Sequence, residues 1–168
     1  RRRGRAGRGL SDSHVMPPAS PGLRERALRL LAQREHSRQE LARKLAAHGT
    51  AEEIAATLER LGELGLQADA RFAEAWVRAK SARHGTARLR HELAQRGVER
   101  ELIDAAIASE AGEDEIERAR VVWRSRFGTA PADRAEWARQ ARFLQGRGFA
   151  SATITKLLKE LPDESAQG

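Results

Sequence analysis

Leu41, Leu45 and Gly49 return at one constant offset as Leu89, Leu93 and Gly97, so that ELARKLAAHG, which begins at Glu40, is answered by ELAQRG from Glu92. A phrase that recurs at a spacing of about 40–50 residues marks a helical array, in which each short unit buries its inner face partly against its neighbours. The recurrence therefore predicts copies of one building block rather than a single continuous core. Gly49 and Gly97 stand where a helix must stop, and a left-handed C-cap is cheapest without a β-carbon.

Apolar residues at spacings of three and four fill in the block. Leu23, Ala27, Leu30 and Leu31 form one stripe, Leu41 and Leu45 a shorter one, and Ile54, Leu58, Leu61 and Leu64 a third. Ser37 with Glu40 and Thr50 with Glu53 read as S/T-x-x-E capping boxes at two of the helix starts. A second trio follows: Asp69 as cap with Phe72, Ala75, Trp76 and Ala79 inward; Thr86 as cap with Leu89 and Leu93; then Leu102, Ala105, Ala106 and Ile107. A third carries Ile116, Ala119, Trp123 and Phe127, then Trp137, Ala141 and Leu144 up to Gly148, then Ser151 as cap for Ile154, Leu157, Leu158 and Leu161 before Pro162. In that copy Gln140 stands where Leu41 and Leu89 stood, so its middle helix either packs differently or uses Trp137 instead. The expected fold is all-α: an elongated, curved array of three tandem three-helix repeats over 23–66, 67–111 and 112–162, with terminal tails at 1–22 and 163–168.

The first tail, RRRGRAGRGLSDSHVMPPASPG, mixes Arg, Gly, Ser and Pro without a period and reads as disordered. It holds Arg1, Arg2, Arg3, Arg5 and Arg8 against Asp12, the larger part of a formal net charge of +7. Either it holds nucleic acid phosphates or it is an extension without a role. The chain has no cysteine, which excludes disulfides, zinc–thiolate sites and cysteine nucleophiles. No apolar run approaches the roughly 20 residues of a membrane span, and no signal peptide is apparent. These features predict a cytoplasmic protein without a membrane role.

Nothing in the sequence asks for catalysis, a cofactor or a metal. His14, His36, His48, His84 and His91 have no metal-ligand spacing, the glutamates mark no acid–base pair, and there is no GxxxxGK[ST] loop. GRGF, from Gly146 to Phe149, reads as a helix C-cap leading into the next helix.

LQADARFAEAWVRAKSARHGTARLRHELAQRGVERELIDAAI resembles the core of the RecX regulatory proteins, with an Asp-x-x-Phe-Ala helix start, a basic Gly-containing link, a Glu-Leu-x-x-x-Gly helix end and an Ile-containing last helix. The resemblance extends over SRQELARKLAAHG before it and ARFLQGRGFASATI after it. Trp76 stands where Phe or Tyr is common in that family, Tyr is absent throughout, and the Arg-rich head is not a family feature. The resemblance implies a monomeric, non-enzymatic modulator that binds the RecA filament along its groove and restrains recombinase, ATPase and co-protease activity in DNA repair and the SOS response.

Two basic clusters suit such a partner. Arg78, Lys80, Arg83, Arg88 and Arg90 follow one another without an acidic residue between them, and Arg139, Arg142 and Arg147 surround Phe143, which is either an exposed anchor or part of the core. A one-signed run attracts acidic protein or DNA phosphates, weakly and without sequence preference; the alternative is a set of outer-face cations that only keep helices soluble. The rival function is a helix-turn-helix protein acting directly on duplex DNA, since SRQELARKLAAHGTAEEIAATLERLGELGL has that form. Its second helix, however, would bring Glu52, Glu53, Glu59 and Glu63 with only Arg60 to the major groove.

Overall fold

Ala27, Ala73 and Ala119 are each wholly buried, and each occupies the same place in the first helix of a trio. The computed structural model describes residues 22–111 and 114–162. These form α1 (Leu23–Gln33), α2 (Arg38–Leu45), α3 (Ala51–Glu63), α4 (Asp69–Lys80), α5 (Thr86–Gln95), α6 (Arg100–Glu110), α7 (Glu115–Arg126), α8 (Arg134–Gly146) and α9 (Ser151–Glu160), with no strand among the described residues. The proposed tails lie outside them, apart from Gly22. None of these helices is long and apolar enough to cross a membrane.

Each trio closes on its own core. Ala27, Leu41, Leu45, Ile54, Leu58 and Leu61 form the first; Phe72, Ala73, Val77, Leu89, Leu93, Ile103 and Ala106 lie in the second; Ala119, Val122, Trp123, Leu144, Ile154 and Leu157 lie in the third. Substantial helix packing stays within the trios. Isoleucine at the same step of each third helix, at Ile54, Ile103 and Ile154, completes the equivalence.

What joins the trios is a pair of polar contacts made twice. At the first junction the Asp69 carboxylate, at the start of α4, accepts the Arg38 backbone N–H at the start of α2 (2.8 Å), and the Ser37 hydroxyl donates to the Arg96 carbonyl beyond α5 (2.8 Å). At the second, Glu115 at the start of α7 accepts the Thr86 N–H at the start of α5 (2.9 Å), and the Gly85 N–H donates to the Arg147 carbonyl beyond α8 (2.8 Å). Middle helices thus follow head to tail, the N-terminus of one against the C-terminus of the next, which satisfies end groups that lack partners within a helix. The approach is close. A β-carbon on Gly85 would overlap the Gly148 carbonyl, and one on Gly97 would overlap the Gln39 side chain.

These junctions correct several sequence expectations. Ser37 and Thr50 do make capping boxes. Asp69, Thr86 and Ser151, however, are first helical residues and not caps; the caps are Ala68, Gly85 and Ala150, none of which makes a side-chain cap bond. Asp69 is spent on the neighbouring repeat, and Thr86 donates its N–H there. Gly97 and Gly148 are left-handed, at φ +78° and +88°, whereas Gly49 is not, and a β-carbon there would meet only the ends of the Leu23 and Glu53 side chains. Ala79, Ala105 and Leu64 face outward, Ala75 is only half-buried, and Val77 and Ile103 take the inner positions instead.

The odd Gln140 is paired with another oddity. Trp123 occupies the step held by Leu31 in α1 and Val77 in α4, and its larger ring brings a polar N–H into the core. Gln140, 1% exposed, accepts from that indole (2.7 Å) and donates to the Thr129 carbonyl and Glu136 carboxylate, both at 3.1 Å. The third repeat therefore packs differently, and Trp137 stays at the surface, 36% exposed.

His36, 1% exposed, lies beside the first junction, with Nδ1 3.0 Å from the Arg34 carbonyl, Nε2 3.2 Å from Lys44 Nζ, and its own carbonyl accepting from Gln67. Burial, then the charges of Arg34 and Lys44, hold its pKa below the ordinary value despite the Arg34 carbonyl bond and Glu40.

Three outcomes follow for folding. Gly85→Ala should destabilise the protein by about 2 kcal/mol or more in urea titration, because it forces two backbones apart; an unchanged midpoint would refute the junction. Gln140→Leu should cost about 1–3 kcal/mol by orphaning the indole N–H, and pairing it with Trp123→Phe should recover much of that loss in a double-mutant cycle. A histidine with a depressed folded pKa adds stability above its unfolded value of about 6.5 that is lost as pH falls. Stability should accordingly drop from pH 7.5 to 5, more steeply than in His36→Gln; parallel profiles would remove His36 as the cause.

Candidate functional site

The sequence pairs Trp76 with Lys80 one turn later, and the turn before Gly97 supplies Arg96. In α4 the Trp76 ring is half-buried, and both cations lie against it, the Lys80 ammonium at 4.1 Å and the Arg96 guanidinium at 3.9 Å from the ring centre. Its Nε1 donates to Glu92 (3.1 Å), which also accepts from Arg88 (3.1 Å). Burial pushes the Glu92 carboxyl up, but the bonds from Arg88 and Trp76 and the Lys80 charge outweigh it, so the group titrates below the ordinary carboxylate value.

This cluster lies on a line of contacts that crosses both junctions. Arg34 meets Glu40 (3.0 Å), Glu40 meets Arg96 (3.6 Å), Arg96 stacks on Trp76, Trp76 holds Glu92, Glu92 holds Arg88, and Arg88 reaches the Gly146 carbonyl (3.4 Å). Beyond it the Arg147 guanidinium lies 5.2 Å over Phe143. His84 sits among these cations, and its pKa is lowered by burial first, then by Arg88, Lys80 and Arg147 against Glu92. The helix pairs that carry this face are cationic in every repeat: seven basic residues against three acidic ones over 23–49, seven against three over 67–97, and eight against five over 114–148. The third helices of the first two repeats reverse the sign, with four acidic residues against one basic over 50–66 and again over 98–111.

The predicted basic run divides between the two regions. Arg78 forms a two-bond pair with Glu110 (2.9 and 3.0 Å) and Arg90 pairs with Asp104, so both turn toward α6. Lys80 and Arg88 belong to the Trp76 cluster, and Arg83 makes no side-chain pair among the described residues. The run is one-signed along the chain but not in space, because α6 and Glu92 supply the missing acids. In the third repeat Arg139 pairs with Glu136 (2.7 Å), Arg142 is exposed without a side-chain pair among the described residues, and Arg147 covers Phe143. Phe143 packs edge-on against Phe127 at 5.2 Å and is a margin of the core with one face toward Arg147.

Arg34, Glu40, Trp76, His84 and Arg96 were missing from the sequence-based set. The signal that locates Arg96 is its place before the left-handed Gly97, matched by Arg147 before Gly148. Trp76, read as inward, does pack against the second core and onto Phe72, but helical spacing did not show that its half-buried ring also takes two cations. No group of His, Asp or Glu among the described residues is arranged to hold a metal ion.

Family models describing the first, second and third three-helix domains of RecX match residues 24–61, 69–107 and 113–158. Regulatory protein RecX of Leptothrix cholodnii is 46% identical over 138 residues, covering 82% of this chain and 87% of its own. That of Pseudomonas fluorescens is 46% identical over 140 residues, covering 81% and 89%. The crystal structure of RecX from Lactobacillus salivarius superposes with a TM-score of 0.71 at 20% identity, over 83% of this chain and 94% of that one, which establishes the shared fold. With a family domain matched in each repeat and close relatives spanning most of their own length, the chain belongs to the RecX family of regulatory proteins.

Proposed function

We propose that this protein binds RecA filaments on DNA as a monomer in the cytoplasm and restrains their recombinase, ATPase and co-protease activities without catalysing a reaction itself. Family membership supports a regulatory role. The observation that carries the reading is the cation–aromatic line from Arg34 to Arg147, which runs across three repeats and offers a long contact rather than a cleft. Cations there attract the phosphates and acidic surface of a nucleoprotein filament, and the attraction is general rather than base-specific. Arg83 and Arg142 are the members of the sequence-derived set with their charge uncommitted to a side-chain pair among the described residues. Base reading by α3 is disfavoured, because Glu52, Glu53 and Glu59 are exposed along it.

The protein should shorten RecA filaments assembled on single-stranded DNA with ATP and slow their ATP turnover. Inhibition far below one copy per protomer indicates blocked growth, and a need for near-equal amounts indicates coating of the groove. Arg83→Glu with Arg142→Glu should leave helicity unchanged, weaken filament binding about tenfold or more, and lower its salt slope by about one to two. Full inhibition with an unaltered salt slope would remove Arg83 and Arg142 from the interface.

A further inference from the structure

The first junction leaves an open groove of about 790 Å³ between α2 and α3 of the first repeat and the start of α6 in the second, and no residue of that line is among its lining. Ala42, Ala46 and Ala55 form much of its lining, with Ile54, Leu58 and Leu102 adding larger apolar surface. The small side chains leave it open. Its volume exceeds that of two leucine side chains, so it admits bulky anchors. Its lining holds Asp69 and Glu99 against Arg38, and the helices beside it carry the exposed Glu52 and Glu59 on α3 and Glu101 on α6, which make no ion pair among the described residues, whereas Arg60 is paired with Glu63 and Arg100 with Asp104.

We infer that this groove is a second docking site, taking a basic amphipathic segment of a protein partner whose apolar anchors enter between α3 and α6 while its Lys or Arg residues face the glutamates. Apolar anchors in a preformed groove supply affinity, and the acidic walls select the sign of the flanks. The site is separate from the cationic face and has the opposite preference, so one chain can hold phosphate-bearing and basic surfaces at the same time. The inference does not rest on the RecA reading, since it follows from the lining and charge of this groove alone.

The probe is a fluorescein-labelled helical peptide of about four turns with Leu at the i, i+3, i+4 and i+7 positions and Lys on its other face, titrated against the full chain by anisotropy; a twin carries Glu for Lys. The Lys peptide should bind, the Glu twin should bind at least tenfold more weakly, and Ala55→Trp, which fills the groove, should reduce Lys-peptide binding tenfold or more. Glu99→Lys should weaken it severalfold while leaving the circular dichroism spectrum unchanged, which guards against misfolding of the tryptophan variant. Equal binding of the two peptides, or indifference to both variants, overturns the proposal. So does a homodimer in sedimentation that Ala55→Trp dissolves, which gives the groove to a second copy. Peptide binding that tightens when Arg1, Arg2, Arg3, Arg5 and Arg8 are together replaced by Ser overturns it as well, giving the groove to the chain's own first residues.

Discussion

A carboxylate at the start of one repeat that accepts a backbone N–H from the middle helix of the repeat before it holds the array in register. Asp69 does this for Arg38, and Glu115 does it for Thr86. The donor in each case is a helix-terminal N–H that has no partner in its own helix, so the bond satisfies an obligation the helix already had. The negative charge also meets the positive end of the helix dipole. Burial pushes the Glu115 carboxyl up, but the Thr86 N–H and the Thr153 hydroxyl more than offset this, and it stays ionised below the usual carboxylate range. Because substantial helix packing stays within the trios among the described residues, these directed bonds, with the Glu40–Arg96 and Glu35–Arg71 ion pairs and the glycine contacts beside them, fix how one repeat meets the next.

The trios themselves were legible in the sequence because their cores obey helical spacing: Leu41 and Leu45, Leu89 and Leu93, and Ile54 and Ile154 all lie where the period puts them. The junctions were not. Asp69 and Thr86 look like caps to any local reading, since a short polar side chain before an apolar run has that role in most helices. Here the partner is far away along the chain, and only the assembled fold shows that the carboxylate points across the boundary. Gly49 misled for the complementary reason, since it matches Gly97 in sequence but has no positive φ, and a β-carbon there would meet only the ends of the Leu23 and Glu53 side chains.

The candidate face shows a similar limit. A run from Arg78 to Arg90 without an acid is visible in the letters, yet Glu110 and Asp104 neutralise its outer members from α6. What survives is a smaller cluster organised by Trp76, whose ring collects Lys80 from its own helix and Arg96 from the next. Charge is sorted by helix instead of by stretch of chain, cationic on first and middle helices, acidic on the third helices of two repeats. That sorting gives the first and middle helices a charge unlike that of the third helices in the first two repeats.

The first repeat departs from the other two at the step that makes the junction. Where α4 and α7 begin with Asp69 and Glu115, α1 begins with Leu23, and the glycine after α2 has not adopted the left-handed form that its counterparts use. A middle helix brought to that step would meet a hydrocarbon in place of a carboxylate, with Glu25 the acid of the same turn. The acceptor that seats one middle helix against the next is therefore complete at two places among the described residues, and those two places set the pitch at which the units follow one another.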